Sequence, residues 1–158
     1  MESFFIIILP PGIYHKKDTS GCNFYAGESA IEYQDLEKIV SQFFYPIHKK
    51  GKGINIMNKY ALKFCFHTRF IQDITMESCL YYLKNDKETI KNILSVFIKN
   101  NFSVFHPGFG YLENLNNFVE TLELFYEIKM KIFIEKYNHI FIGKDILPKD
   151  FYKILRHN

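Results

Sequence analysis

The sequence has no Trp, only two Arg among its twenty Lys and Arg residues, and no C-x-x-C pair among its three Cys. Each scarcity excludes something. Arg supplies the forked contacts that read bases and clamp phosphates, so a chain whose Arg residues are Arg69 and Arg156 alone is poorly equipped for sequence-specific nucleic-acid recognition. A net charge of +3 and a pI near 8.6 also fall short of the strongly basic balance of dedicated nucleic-acid binders. Cys22, Cys65 and Cys79 are too widely spaced for a zinc ribbon or a thioredoxin-like motif. No two His fall at the i, i+4 spacing of a helical metal site, so neither a metal nor another cofactor is expected.

Long apolar runs are missing as well. The longest at the N-terminus, Phe4 to Leu9, is far shorter than a membrane span and ends in Pro10-Pro11-Gly12. It also follows Glu2 rather than a basic residue, unlike a secretory signal. A soluble, cytoplasmic protein without membrane contact is expected, its thiols reduced. Internal repeats, low-complexity tracts and linkers are absent too. With 158 residues the chain is expected to form one globular domain over 1–158, large enough to hide roughly two-thirds of its unfolded surface.

What is present in excess is aromatic: seventeen Phe and eleven Tyr, 18% of the chain with no Trp. Seventeen Phe can fill a core. The Tyr surplus, with Tyr14, Tyr25, Tyr45, Tyr111 and Tyr126 at loop-like or edge positions, suits an interaction surface, where Tyr offers rigid area and a polar tip.

Hydrophobic periodicity sets the expected elements. The run Phe4–Leu9 reads as a strand buried on both faces, and therefore central. Residues 12–22 read as a loop, with a short strand at 22–26. Ser29-Ala30-Ile31-Glu32 is a capping-box pattern opening a helix over 30–45. The stretch LKFCFHTRF lies in a strand over 59–69, with Leu62, Phe64 and Phe66 on one face and Lys63, Cys65, His67 and Arg69 on the other. Asp73 or Thr75 caps a short helix reaching Tyr82. Asp86 caps a better one over 87–100, with Ile90, Ile93, Leu94, Phe97 and Ile98 in its stripe. Residues 102–105 form a strand, 106–110 a turn. A long amphipathic segment at 112–137 points Leu115, Phe118, Val119, Leu122, Phe125 and Tyr126 inward, although 129–134 also alternates like a strand. A last strand at 139–142 and a C-terminal helix opening at Leu147-Pro148 complete the reading. The class is α+β, a small mixed sheet packed by about four helices.

Three groupings carry possible chemistry. Cys65 and His67 share a strand face about 7 Å apart, a spacing that does not by itself place a base against a thiol. His106-Pro107-Gly108-Phe109-Gly110 is a His at a strand end followed by a Gly turn, without the further residues of a phosphate loop. His48-Lys49-Lys50-Gly51-Lys52-Gly53 is a basic turn. A small His-dependent enzyme or RNA-acting domain would need His67, Arg69 and His106 to converge in one cleft with that basic rim.

The other reading is a binding protein. Short, single-domain, aromatic-rich and bare of catalytic motifs, the chain resembles the immunity proteins of bacterial toxin systems, including those of contact-dependent inhibition. The resemblance is one of type rather than of a shared motif. It implies a non-catalytic protein whose partner is a cognate toxin domain. Immunity proteins against nucleases are often acidic, matching basic toxins. Here local acidity would serve: Glu113, Glu120, Glu123 and Glu127 on the long helix, with Tyr111 beside them, are the expected partner-binding residues.

Overall fold

Phe4–Leu9 does become the middle of the fold. In a computed structural model, which describes residues 3–141 apart from 18 and 22, strand β1 (Ser3–Leu9) pairs antiparallel on both sides, with β7 (Phe70–Cys79) and β8 (Ser103–His106). Around them run β4 (Ile47–Lys49), β5 (Gly53–Ile56), β6 (Tyr60–His67) and β9 (Gly110–Tyr111), in the order β4-β5-β6-β7-β1-β8-β9. Every pairing is antiparallel. A separate hairpin joins β2 (Ile13–Lys17) to β3 (Asn23–Gly27). The helices are α1 (Tyr33–Ser41), α2 (Leu80–Asn85), α3 (Lys87–Lys99) and α4 (Leu115–Phe141).

This is the expected α+β class. The sheet is larger than expected and wholly antiparallel, because several strands are too short or too polar to show a period.

The main core lies between the inner sheet face and the helices. Phe4, Ile6 and Ile8 of β1, Leu62 and Phe64 of β6 and Ile74 and Met76 of β7 pack with Leu36 and Val40 of α1, Ile90, Ile93 and Phe97 of α3, and Val119 and Leu122 of α4. A second, smaller cluster lies on the outer face. There Ile7 and Leu9 of β1 and Phe105 of β8 meet Ile13 and Tyr25 of the β2–β3 hairpin. An unbroken apolar run is what a strand covered on both faces requires. The base of the hairpin needs glycine on both sides: Gly12 and Gly27 have positive φ, and a Cβ on either would strike backbone.

Several local expectations are corrected. Residues 13–17, read as loop, form β2, because its lysines hide an alternation that turns Ile13 inward. The first helix starts at Tyr33 rather than Ala30. The Ile31 carbonyl accepts from the Ile71 N–H at 2.8 Å and Glu32 bridges Phe70, so the chain is still tied to the sheet there. The Ser29 hydroxyl accepts from Ile31, and the N-terminal backbone bond is the one from the Glu32 N–H to Asp35 Oδ2 at 2.9 Å. Asp73 and Thr75 cap no helix; they are outer-face residues of β7. The second half of the long segment is helical, so 139–141 belong to α4 rather than to a strand. Residue 142 and the expected helix from Leu147 lie outside the described residues.

The best-patterned helix, α3, is placed as expected. Asp86 precedes it, accepting from Thr89 Oγ1 at 2.6 Å and from the Tyr60 hydroxyl at 2.9 Å. Ile98, expected inward, is 37% exposed, while Val96 is buried in its place. Asn101 takes the left-handed conformation after the helix (φ 66°).

Candidate functional site

The row Lys63, Cys65, His67, Arg69 faces outward and is exposed, as the alternation of β6 predicts. Cys65 lies opposite Asp73 of β7. Burial and the Asp73 carboxylate push its thiol up, with only Lys52 pulling the other way. Burial also raises Asp73 itself. A nucleophilic cysteine needs the reverse environment, a cation or base that favours the thiolate. Arg69, one residue beyond the turn made by Thr68 (φ 58°), is committed locally: its Nε lies 3.0 Å from Glu32 Oε1, with the guanidinium over the Phe70 ring.

His106 is elsewhere in every sense. It is 1% exposed, on the inner face at the end of β8. Its Nδ1 accepts from the Gly108 N–H at 2.9 Å, leaving the proton of the neutral ring on Nε2, 3.4 Å from the Tyr126 hydroxyl. Phe109 and Phe5 stack on the ring and Phe125 meets it edge-on. A Cβ on Gly108 would crowd the Phe125 ring, so the ring packs closely over this turn. Burial pushes the imidazole down to about 4, so it is neutral at physiological pH. His67 and His106 occupy opposite faces with β7 and β1 between their strands. Three strand spacings alone separate them by roughly 14 Å. The structure therefore does not bring His67, Arg69 and His106 into one cleft. Nor does the basic turn rim them. Lys49 pairs with Glu37 at 2.9 Å, while Lys50 and Lys52 border a shallow outer-face pocket of about 350 Å³ together with Lys63.

The acidic residues divide into two places. Glu120, Glu123 and Glu127 follow one side of α4, toward α2 and α3. Glu123 is paired with Lys87, and Glu127 lies 4.0 Å from Lys84. That ladder is thus partly neutralised from within the chain. Glu113 precedes the helix and shares a shallow pocket of about 460 Å³ with Tyr111. The Tyr111 hydroxyl accepts from the His15 N–H at 2.7 Å, tying β9 to the hairpin.

Sequence reasoning missed a groove between α2 and α4 of about 550 Å³. Leu80, Leu83, Met130 and Ile134 give it an apolar lining, and Glu123, Glu127 and Glu135 stand among its polar residues with Lys84 and Lys131. The mixture of a concave apolar surface with a few charged groups is the usual make-up of a binding site. The one available signal was the apolar excess of 128–134, which the strand-like alternation disguised. Among the described residues, no three of His, Cys, Asp and Glu are grouped so as to hold a metal ion. No described helix is long and apolar enough to cross a membrane. Comparison with known proteins returned no match: no family model, no characterised protein and no solved structure is similar to this chain.

Proposed function

We propose that this chain is a bacterial, cytoplasmic binding protein without catalytic chemistry of its own, of the immunity type, which neutralises a cognate toxin domain by seating part of it on the α2–α4 groove. The observation that carries this reading is the groove itself, an apolar trough lined at its edges by Glu123, Glu127 and Glu135 with Lys84 and Lys131. It suits a partner that presents apolar side chains flanked by Lys or Arg, with charge steering the approach and apolar burial holding the complex. The scattered histidines and the protonated Cys65 thiol favour binding over catalysis. Tyr111 and Glu113 lie at the far end of α4 and serve as a separate, peripheral contact.

The test is co-expression with the product of the adjacent upstream gene, tagging only that product. A stable 1:1 complex that relieves growth arrest caused by the partner is expected. Ile134→Asp, a change at a half-exposed groove position, should weaken that complex at least about tenfold while His67→Ala leaves it intact. Failure to associate, or a complex indifferent to Ile134→Asp, would reject the groove as the toxin site.

A further inference from the structure

The basic turn at 48–53 plays no part in the groove, and it stands over a pocket of its own. By register, Gly53 and Asn55 of β5 share the outer face of the sheet with Ala61 and Lys63 of β6. Gly53 and Ala61 are small and floor the pocket of about 350 Å³, with Lys50, Lys52 and Lys63 around it. The turn is fixed in place. The Lys50 N–H donates to the Gly53 carbonyl and the Phe64 N–H to the Lys52 carbonyl, each at 3.1 Å. A Cβ on Gly53 would strike the Leu62 carbonyl, so the turn sits hard against β6. Lys63 is paired with Glu77 at 2.6 Å, whereas Lys50 and Lys52 make no ion pair among the described residues. Lys52 reaches over this face, since its charge is felt at Cys65. The Asn55 side chain lines the same pocket, and its Oδ1 is buried without a hydrogen-bond partner, the one such side-chain atom among the described residues. Native folds leave few acceptors in that state, and each calls for an explanation.

We propose that this pocket binds a small phosphate ester that carries a free hydroxyl group, its phosphate held by Lys50 and Lys52 and its hydroxyl donating to Asn55 Oδ1. Charge fits the first half. Three ammonium groups against the one Glu77 carboxylate leave two positive charges unmatched, and a phosphate monoester near neutral pH carries nearly two negative ones. Lys holds phosphate as a point charge, so the scarcity of Arg is no obstacle. The orphaned acceptor carries the second half. An ester without a hydroxyl would meet the ammonium groups and leave Oδ1 unpaired, and a sugar without phosphate would meet Oδ1 and leave the charges unmatched. Size agrees as well, since small-molecule sites span roughly 300–1,000 Å³ and this pocket lies at the lower end. The helices that form the α2–α4 groove pack on the other face of the sheet, so the two sites are independent.

The experiment is isothermal titration calorimetry on the full chain at pH 8 and low salt, with ribose 5-phosphate, methyl phosphate and ribose as probes. Ribose 5-phosphate is expected to bind 1:1, at least about fivefold more tightly than methyl phosphate, which has the same charge without the hydroxyls. Ribose alone should give no binding heat. Changing both Lys50→Ala and Lys52→Ala should weaken the two esters at least about tenfold. Changing Lys16→Ala and Lys99→Ala, exposed lysines elsewhere, alters the net charge equally and should leave both affinities as they are. Asn55→Leu should bring ribose 5-phosphate down to the affinity of methyl phosphate. Should that variant misfold, Asn55→Ala makes the same comparison. Absence of saturable binding by ribose 5-phosphate would overturn the proposal. So would an affinity indifferent to Lys50 and Lys52, or a preference for the hydroxylated ester that persists without Asn55. Neither result bears on toxin binding, which is read in a different assay at the groove.

Discussion

The outer face of the sheet has two halves that come to opposite ends. On β1 and β8, Ile7, Leu9 and Phe105 are roofed by the β2–β3 hairpin, and His15 of that hairpin stacks on Phe105 with ring centroids 4.2 Å apart. On β6, Lys63, Cys65 and His67 have no roof and lie exposed. The local patterns already differ: β1 is an unbroken apolar run, whereas β6 alternates apolar and polar residues. The hairpin returns across the apolar half alone, so Ile7, Leu9 and Phe105 become core while the polar row of β6 stays surface.

Breaking the roofed half should cost most. Leu9→Ala removes a fully buried side chain beneath the hairpin and is expected to lose about 2–5 kcal/mol in chemical denaturation. Lys63→Ala and His67→Ala on the bare half should each stay within about 0.5 kcal/mol. Equal losses on both halves would mean that the hairpin does not act as a roof.

The second largest effect separates the buried histidine from the exposed one. His106 is held near 4 in the fold against about 6.5 when unfolded. Between those values the unfolded chain binds a proton that the folded chain refuses. This contribution to stability is therefore complete above pH 6.5, falls as pH drops toward 4, and levels off below. The loss should be on the order of 3 kcal/mol. His106→Phe should remove the slope over that window, and His67→Ala should leave it in place.

A smaller effect belongs to the clasp. Tyr111→Phe deletes the hydroxyl that accepts from the His15 N–H and should cost about 1 kcal/mol. Hydrogen exchange should quicken in β2 and β3, with β6 unchanged.

These contrasts also explain which parts of the fold the sequence displays. Residues 4–9 announce themselves as an unbroken apolar run, and 60–67, 87–99 and the start of α4 by apolar residues repeating at a strand or helix period. β7 does not: a register shift leaves Gln72 and Asp73 together between Ile71 and Ile74 and breaks its alternation, and capping residues suggested a helix instead. The place of His106 depends on Tyr126, twenty residues away, and on rings from Phe5, Phe109 and Phe125. No spacing along the chain encodes that assembly. The α2–α4 groove is equally a product of tertiary packing, since its two sides lie some forty residues apart. By contrast, the exposure of Cys65, His67 and Arg69 follows from alternation alone.

The smallest effect concerns Cys65, where the bare half of the sheet meets the roofed one. The thiol faces Asp73, whose carboxyl is half-buried and close to Tyr25 of the hairpin. Exposure by itself would make this cysteine readily alkylated. Its environment argues the other way, because burial and a carboxylate opposite both disfavour the thiolate, and the thiolate is the species that reacts. Cys65 should therefore react with iodoacetamide at pH 8 several-fold more slowly than a free thiol. Asp73→Asn removes the opposing charge and should speed it, with stability changed by less than about 1 kcal/mol. Lys52→Ala should slow it further, since that ammonium is the one group favouring the thiolate. Peptide mapping would separate Cys65 from Cys22 and Cys79. Rates that ignore Asp73 would mean that backbone burial alone sets the thiol. Rates faster than a free thiol would mean that Lys52 prevails over the carboxylate, and would return the β6 face to consideration as a reactive surface.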